Sequence, residues 1–208
     1  METQTPNEIK LESNIEIIEG IMMANGGYIT SKQITELGIH RMYLNIMLEK
    51  NMIEKVSKGI YIDKNIIEDV YYTFQLRYPK TIYARFTALY LHNLTEIFPH
   101  TFELVADYNY HVEEINKRHS FIKCKKEFLN LGLCEVKTPN GHYVNAYDKE
   151  RCICDIIKYR KRLDIEQVKK SVKMYVKDND KNISNLIKYS KIMGINEEVM
   201  EFVGMFYE

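Results

Sequence analysis

Residues Gly26–Ile62, GGYITSKQITELGIHRMYLNIMLEKNMIEKVSKGIYI, constrain the fold of this chain more than any other stretch. Thr30-Ser31-Lys32-Gln33 has the T-x-x-Q form of a capping box, in which a hydroxyl and an amide satisfy backbone donors reciprocally at a helix start. The short helix opened there is expected to run through Leu37, and Gly38 supplies a sharp turn. A second helix is expected from about Ile39 to Asn51, with Leu44, Met47 and Leu48 facing inward. Ile53–Val56 and Gly59–Ile62 then read as two short strands around Ser57-Lys58. Upstream, Ser13-Asn14-Ile15-Glu16 reads as another capping box. It opens a helix with the stripe Ile17, Ile18, Ile21 and Met22, which Asn25-Gly26-Gly27 ends. Three helices, a tight turn and a hairpin in this order read as a winged helix-turn-helix.

Each part has an expected role. The helix over 39–51 has the length to enter a major groove, with its N-terminal residues nearest the bases. His40, Arg41, Tyr43 and Asn45 are expected on its outer face; Arg41 suits guanine edges and Asn45 suits adenine. Thr30, Ser31 and Lys32 lie at a helix start, where hydroxyls and free amides favour a phosphate oxygen. Lys55 and Lys58 on the hairpin would meet the DNA backbone or the minor groove. The same fold can instead serve protein contacts alone, since a fold does not fix a function.

Charge qualifies this expectation. The chain of 208 residues carries 29 Lys and Arg against 29 Asp and Glu. Residues 1–75 hold 7 basic and 11 acidic side chains, a balance of −4, and residues 76–208 hold 22 and 18, a balance of +4. Between Arg41 and Lys58, Arg41, Lys50, Lys55 and Lys58 face only Glu49 and Glu54. That is a thin footprint for a module that neutralises several phosphates. Either one copy binds weakly or the second half contributes. No apolar run approaches the roughly 20 residues of a membrane span, and the N-terminus has no basic-then-apolar leader. A cytoplasmic protein with no membrane partner is expected, and its four cysteines are too sparse for a disulfide scaffold.

Asp63-Lys64-Asn65 reads as a junction, which divides the chain into a winged helix at 1–65 and a second domain at 66–208. In the second, helical patterns cover Ile66–Tyr78 and Ala84–Asn93. Strand patterns cover Thr101–Tyr108, Ser120–Lys125 and Leu133–Lys137, and Asn140-Gly141 signals a type I′ hairpin turn. Asp148 caps a helix to about Arg160, and Asp164 with Gln167 opens another. Two more helices follow near Ile183–Met193 and Glu197–Phe206. The fold class is α+β: a winged helix-turn-helix, then a mixed α+β domain with a helical C-terminal part. Lys158, Arg160, Lys161 and Arg162 form a basic cluster with Lys169, Lys170 and Lys173, which would add phosphate contacts. A solvated helix face, with Glu166 and Lys170 as an ion pair, is the plainer account of that cluster.

Catalytic patterns are sparse. No Gly-rich phosphate loop or nucleophile elbow occurs. Cys152 and Cys154, two apart on a helix, point to nearly opposite sides and read as buried thiols rather than zinc ligands with Cys124, Cys134 or His142. His92 reads as a hydrogen-bonding group at a helix end. Asp107 on one strand with Glu135-Val136-Lys137 on another has the form of a metal-dependent nuclease site. Such a triplet is common by chance, and neither an enzyme nor a bound cofactor or metal is expected.

Three stretches together resemble one known family. They are Lys58-Gly59-Ile60-Tyr61-Ile62 at the end of the winged helix, Arg85–Thr95 (RFTALYLHNLT) and Tyr147–Lys158 (YDKERCICDIIK). In order and spacing they resemble the AbiEi antitoxins of bacterial abortive-infection, or type IV toxin–antitoxin, systems. Arg151-Cys152 stands where that family often has Arg-Thr. The resemblance implies an N-terminal winged helix and a C-terminal antitoxin domain. It implies an autorepressor that binds inverted repeats upstream of its operon, as a monomer or dimer on double-stranded DNA. It also implies antagonism, without a stable complex, of a nucleotidyltransferase-like toxin. Thr30, Ser31, Lys32, Arg41, Tyr43 and Lys58 would then carry DNA binding.

Overall fold

The computed structural model describes residues 6–207, in an α+β arrangement. The chain divides into two compact units, Met1–Pro79 and Lys80–Glu208.

The first unit contains α1 (Pro6–Ala24), β1 (Tyr28–Thr30), α2 (Ser31–Glu36) and α3 (Met42–Glu49). It continues with β2 (Ile53–Ser57), β3 (Ile60–Asp63) and α4 (Val70–Arg77). The first helix starts at Pro6, not at the Ser13 box. Proline suits a first helical position because its missing N–H would be unpaired there anyway. The buried stripe explains the extension: Ile15, Ile18 and Met22, with half-buried Leu11, face one core at helical spacing. Ile17, expected in that stripe, is exposed. The helix ends where Met22 O accepts from the backbone N–H of Asn25 at 3.0 Å and of Gly27 at 2.6 Å. Gly26 and Gly27 sit at φ 62° and 87°, conformations that glycine adopts without a Cβ penalty.

Strands β1, β3 and β2 lie in that order, antiparallel throughout. The hairpin bulges between Lys55 and Ser57. Ile29, Ile34, Leu44, Met47 and Ile53 close the core around α1.

The unit boundary falls at Pro79 rather than at the expected residue 65. Its cause is a second apolar cluster of Tyr28, Ile60 and Ile62, against which Ile66, Tyr72 and Leu76 pack. The Tyr28 hydroxyl accepts the Asp69 backbone N–H at 2.7 Å, and its ring meets Tyr72 edge-on at 5.0 Å. Asp69 caps α4 by accepting from the Tyr71 and Tyr72 amides, so that helix opens at Val70 and not at Ile66.

The second unit is a five-stranded mixed sheet with helices around it. In chain order come β4 (Ile82–Tyr83), α5 (Arg85–Leu91), β5 (Glu103–Asp107), α6 (Glu113–Arg118), β6 (Ser120–Cys124) and α7 (Lys126–Leu129). Then follow β7 (Leu133–Lys137), β8 (Tyr143–Tyr147), α8 (Lys149–Lys158), a 3-10 turn at Arg160–Arg162, α9 (Ile165–Lys177), α10 (Ile183–Ile192) and α11 (Asn196–Gly204). The strand order is β6-β5-β4-β8-β7. The short helices α6 and α7 escape sequence reading because neither is long enough to show a period.

Helix α8 is the hub. Every residue from Glu150 to Ile157 is buried, and α5, α9, α10 and α11 pack around it. The Asp148 and Asp164 caps form as expected. The β7–β8 turn differs from expectation. Thr138 N donates to His142 O at 2.7 Å, and of Asn140 and Gly141 only Gly141 has positive φ, at 98°. A type I′ turn needs positive φ at both central residues; with Pro139 in the loop, a three-residue connection ending on glycine replaces it. Among the described residues, no helix is long and apolar enough to cross a membrane.

Candidate nucleic-acid interface

The capping box at Thr30 is complete. Gln33 N donates to Thr30 Oγ1 at 3.2 Å, and Thr30 N donates to Gln33 Oε1 at 2.9 Å. The Ser31 amide donates to Gly59 O at 2.8 Å. The amides of Thr30, Ser31 and Gln33 are therefore engaged within the fold at this helix start. The start of α2 also fixes the hairpin tip. Lys32 is exposed and lies 3.6 Å from Glu36, a pair of small worth at that exposure.

The turn into α3 is built from side chains. Thr35 Oγ1 donates to Ser31 O at 2.8 Å and accepts from Arg41 Nε at 2.9 Å. This bond aims Arg41 while leaving its two terminal guanidinium nitrogens for a ligand. His40 Nδ1 accepts the Met42 amide at 3.2 Å, so His40 serves the start of α3, which begins at Met42 rather than Ile39. Tyr43, expected on the outer face, is turned toward the core instead. Its ring is half-buried against the core, and its hydroxyl accepts from Asn14 Nδ2 at 3.0 Å. Asn45 is exposed, as are Met42 and Glu49, which share its side of α3 at positions 42, 45 and 49. Of the four residues expected on the outer face of α3, His40, Arg41 and Asn45 are exposed and Tyr43 is half-buried.

Lys55 and Lys58 are both exposed on the hairpin. Arg77, from α4, joins them: its Nη1 lies 3.5 Å from Ser57 Oγ and its Nε donates to the Tyr78 hydroxyl at 2.9 Å. Sequence reading missed it because 20 residues separate Arg77 from Ser57 and the expected boundary fell between them. Lys55, Lys58 and half-buried Arg77 thus lie on and beside the hairpin, and Arg41 is exposed at the start of α3.

In the second unit, Lys161, Arg162, Lys169, Lys170 and Lys173 are exposed. Helix α9 buries Val168, Ser171, Val172, Tyr175 and Val176 and turns its lysines to solvent. Glu166 pairs with Lys169 at 2.8 Å, not with Lys170. Arg160 and Lys158 are partly used: Arg160 Nη1 donates to Ile157 O at 2.9 Å, and Lys158 Nζ lies 3.5 Å from Met193 O.

The remaining chemistry is internal. Asp107 lies on β5 and Glu135 and Lys137 on β7, with β4 and β8 between them. Three spacings of about 4.8 Å separate the strands by roughly 14 Å, too far to share one metal. Asp107 instead accepts the Asn109 amide at 2.9 Å. Cys152 and Cys154 are buried, and burial pushes the Cys154 thiol up to about 12. Burial, with Asp148 and Glu150 nearby, holds Cys134 up at about 11. Among the described residues, no group of three or more His, Cys, Asp or Glu is placed to hold a metal. His92 meets the carbonyl of Tyr147 through Nε2 at 2.9 Å, and burial lowers its pKa.

Arg151 is a buried tie. Its Nε donates to Asp155 at 3.1 Å, and its Nη1 donates to Phe128 O and Leu131 O at 2.9 and 3.0 Å. Its guanidinium lies 4.5 Å from the centre of the Tyr147 ring. This is a structural role: α8 is pinned to α7 and the turn after it.

Residues 23–62 match a family model described as Transcriptional regulator, AbiEi antitoxin. The matched stretch begins at the end of α1 and closes with β3, and so contains the helix-turn-helix and its hairpin. The match agrees with the resemblance to AbiEi-type antitoxins drawn from the sequence. No curated protein matches the chain.

Proposed function

We propose that this chain is a cytoplasmic, DNA-binding transcriptional autorepressor and the antitoxin of a type IV toxin–antitoxin system that acts in abortive phage infection. The observation that carries the reading is the coincidence of the family match at 23–62 with a winged helix whose turn is braced by Thr35–Arg41. In this reading Arg41 and Asn45 meet base edges, and Lys55, Lys58 and Arg77 meet phosphates. Lys161, Arg162, Lys170 and Lys173 add sequence-independent affinity, which offsets the acidic balance of the first 75 residues. The operator is an inverted repeat occupied by two copies. The toxin is nucleotidyltransferase-like and is counteracted by the second unit without a stable complex and without catalysis.

The test is retardation of the DNA upstream of the protein's own reading frame. Wild-type protein retards it, and Arg41→Ala with Lys58→Ala abolishes retardation while far-UV circular dichroism is unchanged. Unaltered retardation by the double variant would refute the role of this unit.

A second reading is a winged helix that docks on protein. Its support is that Met42 and Glu49 flank Asn45 on α3 and that Met42 is half exposed. Wild-type protein that leaves its upstream DNA unretarded selects this reading.

A further inference from the structure

Behind α3, on the side of the first unit away from Arg41 and Asn45 on the helix surface, lies a pocket of about 460 Å³. That volume falls within the range of small-molecule sites. Four thioethers shape it: Met22 and Met47 are buried in its floor, and Met23 and Met52 stand at its sides. Met23 is 87% exposed, an apolar side chain that the fold itself does not use. Two carboxylates, Glu19 from α1 and Asp63 from β3, also line it, and among the described residues no lysine, arginine or histidine does.

The chemistry of this lining selects its occupant. Methionine is flexible, and its sulfur makes favourable contacts with aromatic rings. Carboxylates beside apolar walls favour a cation and disfavour an anion. Asp63 spends Oδ1 on the Asn65 amide and side chain at 2.8 and 2.9 Å, which leaves Oδ2 for another donor. Glu19 is an exposed carboxylate on the same helix as Met22 and Met23.

We infer that this pocket binds an amphipathic organic cation: a flat or aliphatic body among Met22, Met23, Met47 and Met52, with its ammonium between Glu19 and Asp63. The pocket joins the end of α1, the inner face of α3 and the base of the hairpin. An occupant braces the hairpin against α3, and so offers a small-molecule input to DNA binding. Only that consequence rests on the proposed function; binding does not.

The experiment uses the full chain with methionine methyl groups labelled with carbon-13, in the absence of DNA. Tryptamine is the probe, with tryptophol and indole-3-acetate as its neutral and anionic counterparts. Tryptamine is expected to move the methyl signals of Met22, Met23, Met47 and Met52 saturably, out of 10 methionines in the chain. Tryptophol is expected to bind more weakly, and indole-3-acetate to leave the signals in place. Glu19→Gln should weaken tryptamine about fivefold, the upper end for one partly solvated ion pair. Met23→Lys sets an ammonium at the exposed mouth and should abolish binding. The inference is overturned if these four methyls do not respond saturably, if the three indoles bind alike, or if neither variant changes tryptamine affinity. Because DNA is absent, a protein that retards no DNA can still pass this test, and one that retards it can fail.

Discussion

The backbone N–H of Ser31 donates to the carbonyl of Gly59 across 2.8 Å, so the first residue of α2 holds the tip of the hairpin. The bond fixes where Lys58 stands relative to the helix-turn-helix. It adds to the pairing of Thr30 with Ile60, which already ties the hairpin to β1 one residue from its tip.

Gly59→Ala should loosen this junction. Gly59 has φ 71°, and an added Cβ would lie 3.4 Å from Ser31 Oγ. The left-handed backbone alone costs an L-residue about 1–2 kcal/mol. Urea denaturation should show that loss, and a mobility shift should show weaker retention of upstream DNA. Wild-type stability in the variant would mean that the tip is not constrained.

Thr30→Ala should cost about 1 kcal/mol, the usual penalty for losing an N-cap hydroxyl. Gln33→Ala removes the other half of the same box, so the two losses should not add. A double-variant cycle by denaturation checks this, and full additivity would contradict the reciprocal bonds.

Lys170→Glu with Lys173→Glu should weaken DNA binding on every sequence alike and lower the salt slope by about two, one for each phosphate that is no longer neutralised. Lys169 is better left alone, because Glu166 already holds it. An unchanged slope in a salt titration would return α9 to the role of a solvated face.

Asp155→Ala should destabilise the second unit by about 3 kcal/mol or more, because it strands the buried Arg151. Arg151 and Asp155 are only 5% and 6% exposed, so water screens the pair little. Arg151→Met with Asp155→Leu should cost less than Asp155→Ala alone, which thermal denaturation can rank.

Burial lowers the pKa of His92 below the ordinary 6.5. The unfolded chain therefore takes a proton before the folded one as pH falls through 6.5, and this residue's contribution to stability declines across that window. His92→Gln removes that decline. Wild type should lose ground to the variant as pH drops from about 7 toward the folded pKa, measured by denaturation at each pH. A difference that does not vary with pH would contradict it.

Local grammar was legible and tertiary rescue was not. The Thr30–Gln33 box, the Gly38 turn and the Asp148 and Asp164 caps are written within four residues of one another and form as the sequence implies. Ser13 carries the same local signal, yet α1 runs through it, because Leu11 and Ile15 extend the buried stripe on both sides. Tyr43 and Arg77 were placed by contacts with Asn14 and Ser57, 29 and 20 residues away, which no window of sequence exposes. Of the candidate site, the exposed cations were legible by type. Which residues the fold had already engaged was not.

The order β6-β5-β4-β8-β7 also sets a timetable for synthesis. The centre of that sheet is the two-residue β4, and Tyr83 pairs with Ala146 in β8. The ribosome must deliver that much of the chain before the sheet can close. Every strand of the first unit, by contrast, is paired within residues 28–63. Chains fold from the N-terminus as they emerge. The winged helix is thus complete while the second unit is still an open chain, and the nascent protein acquires its two halves in sequence.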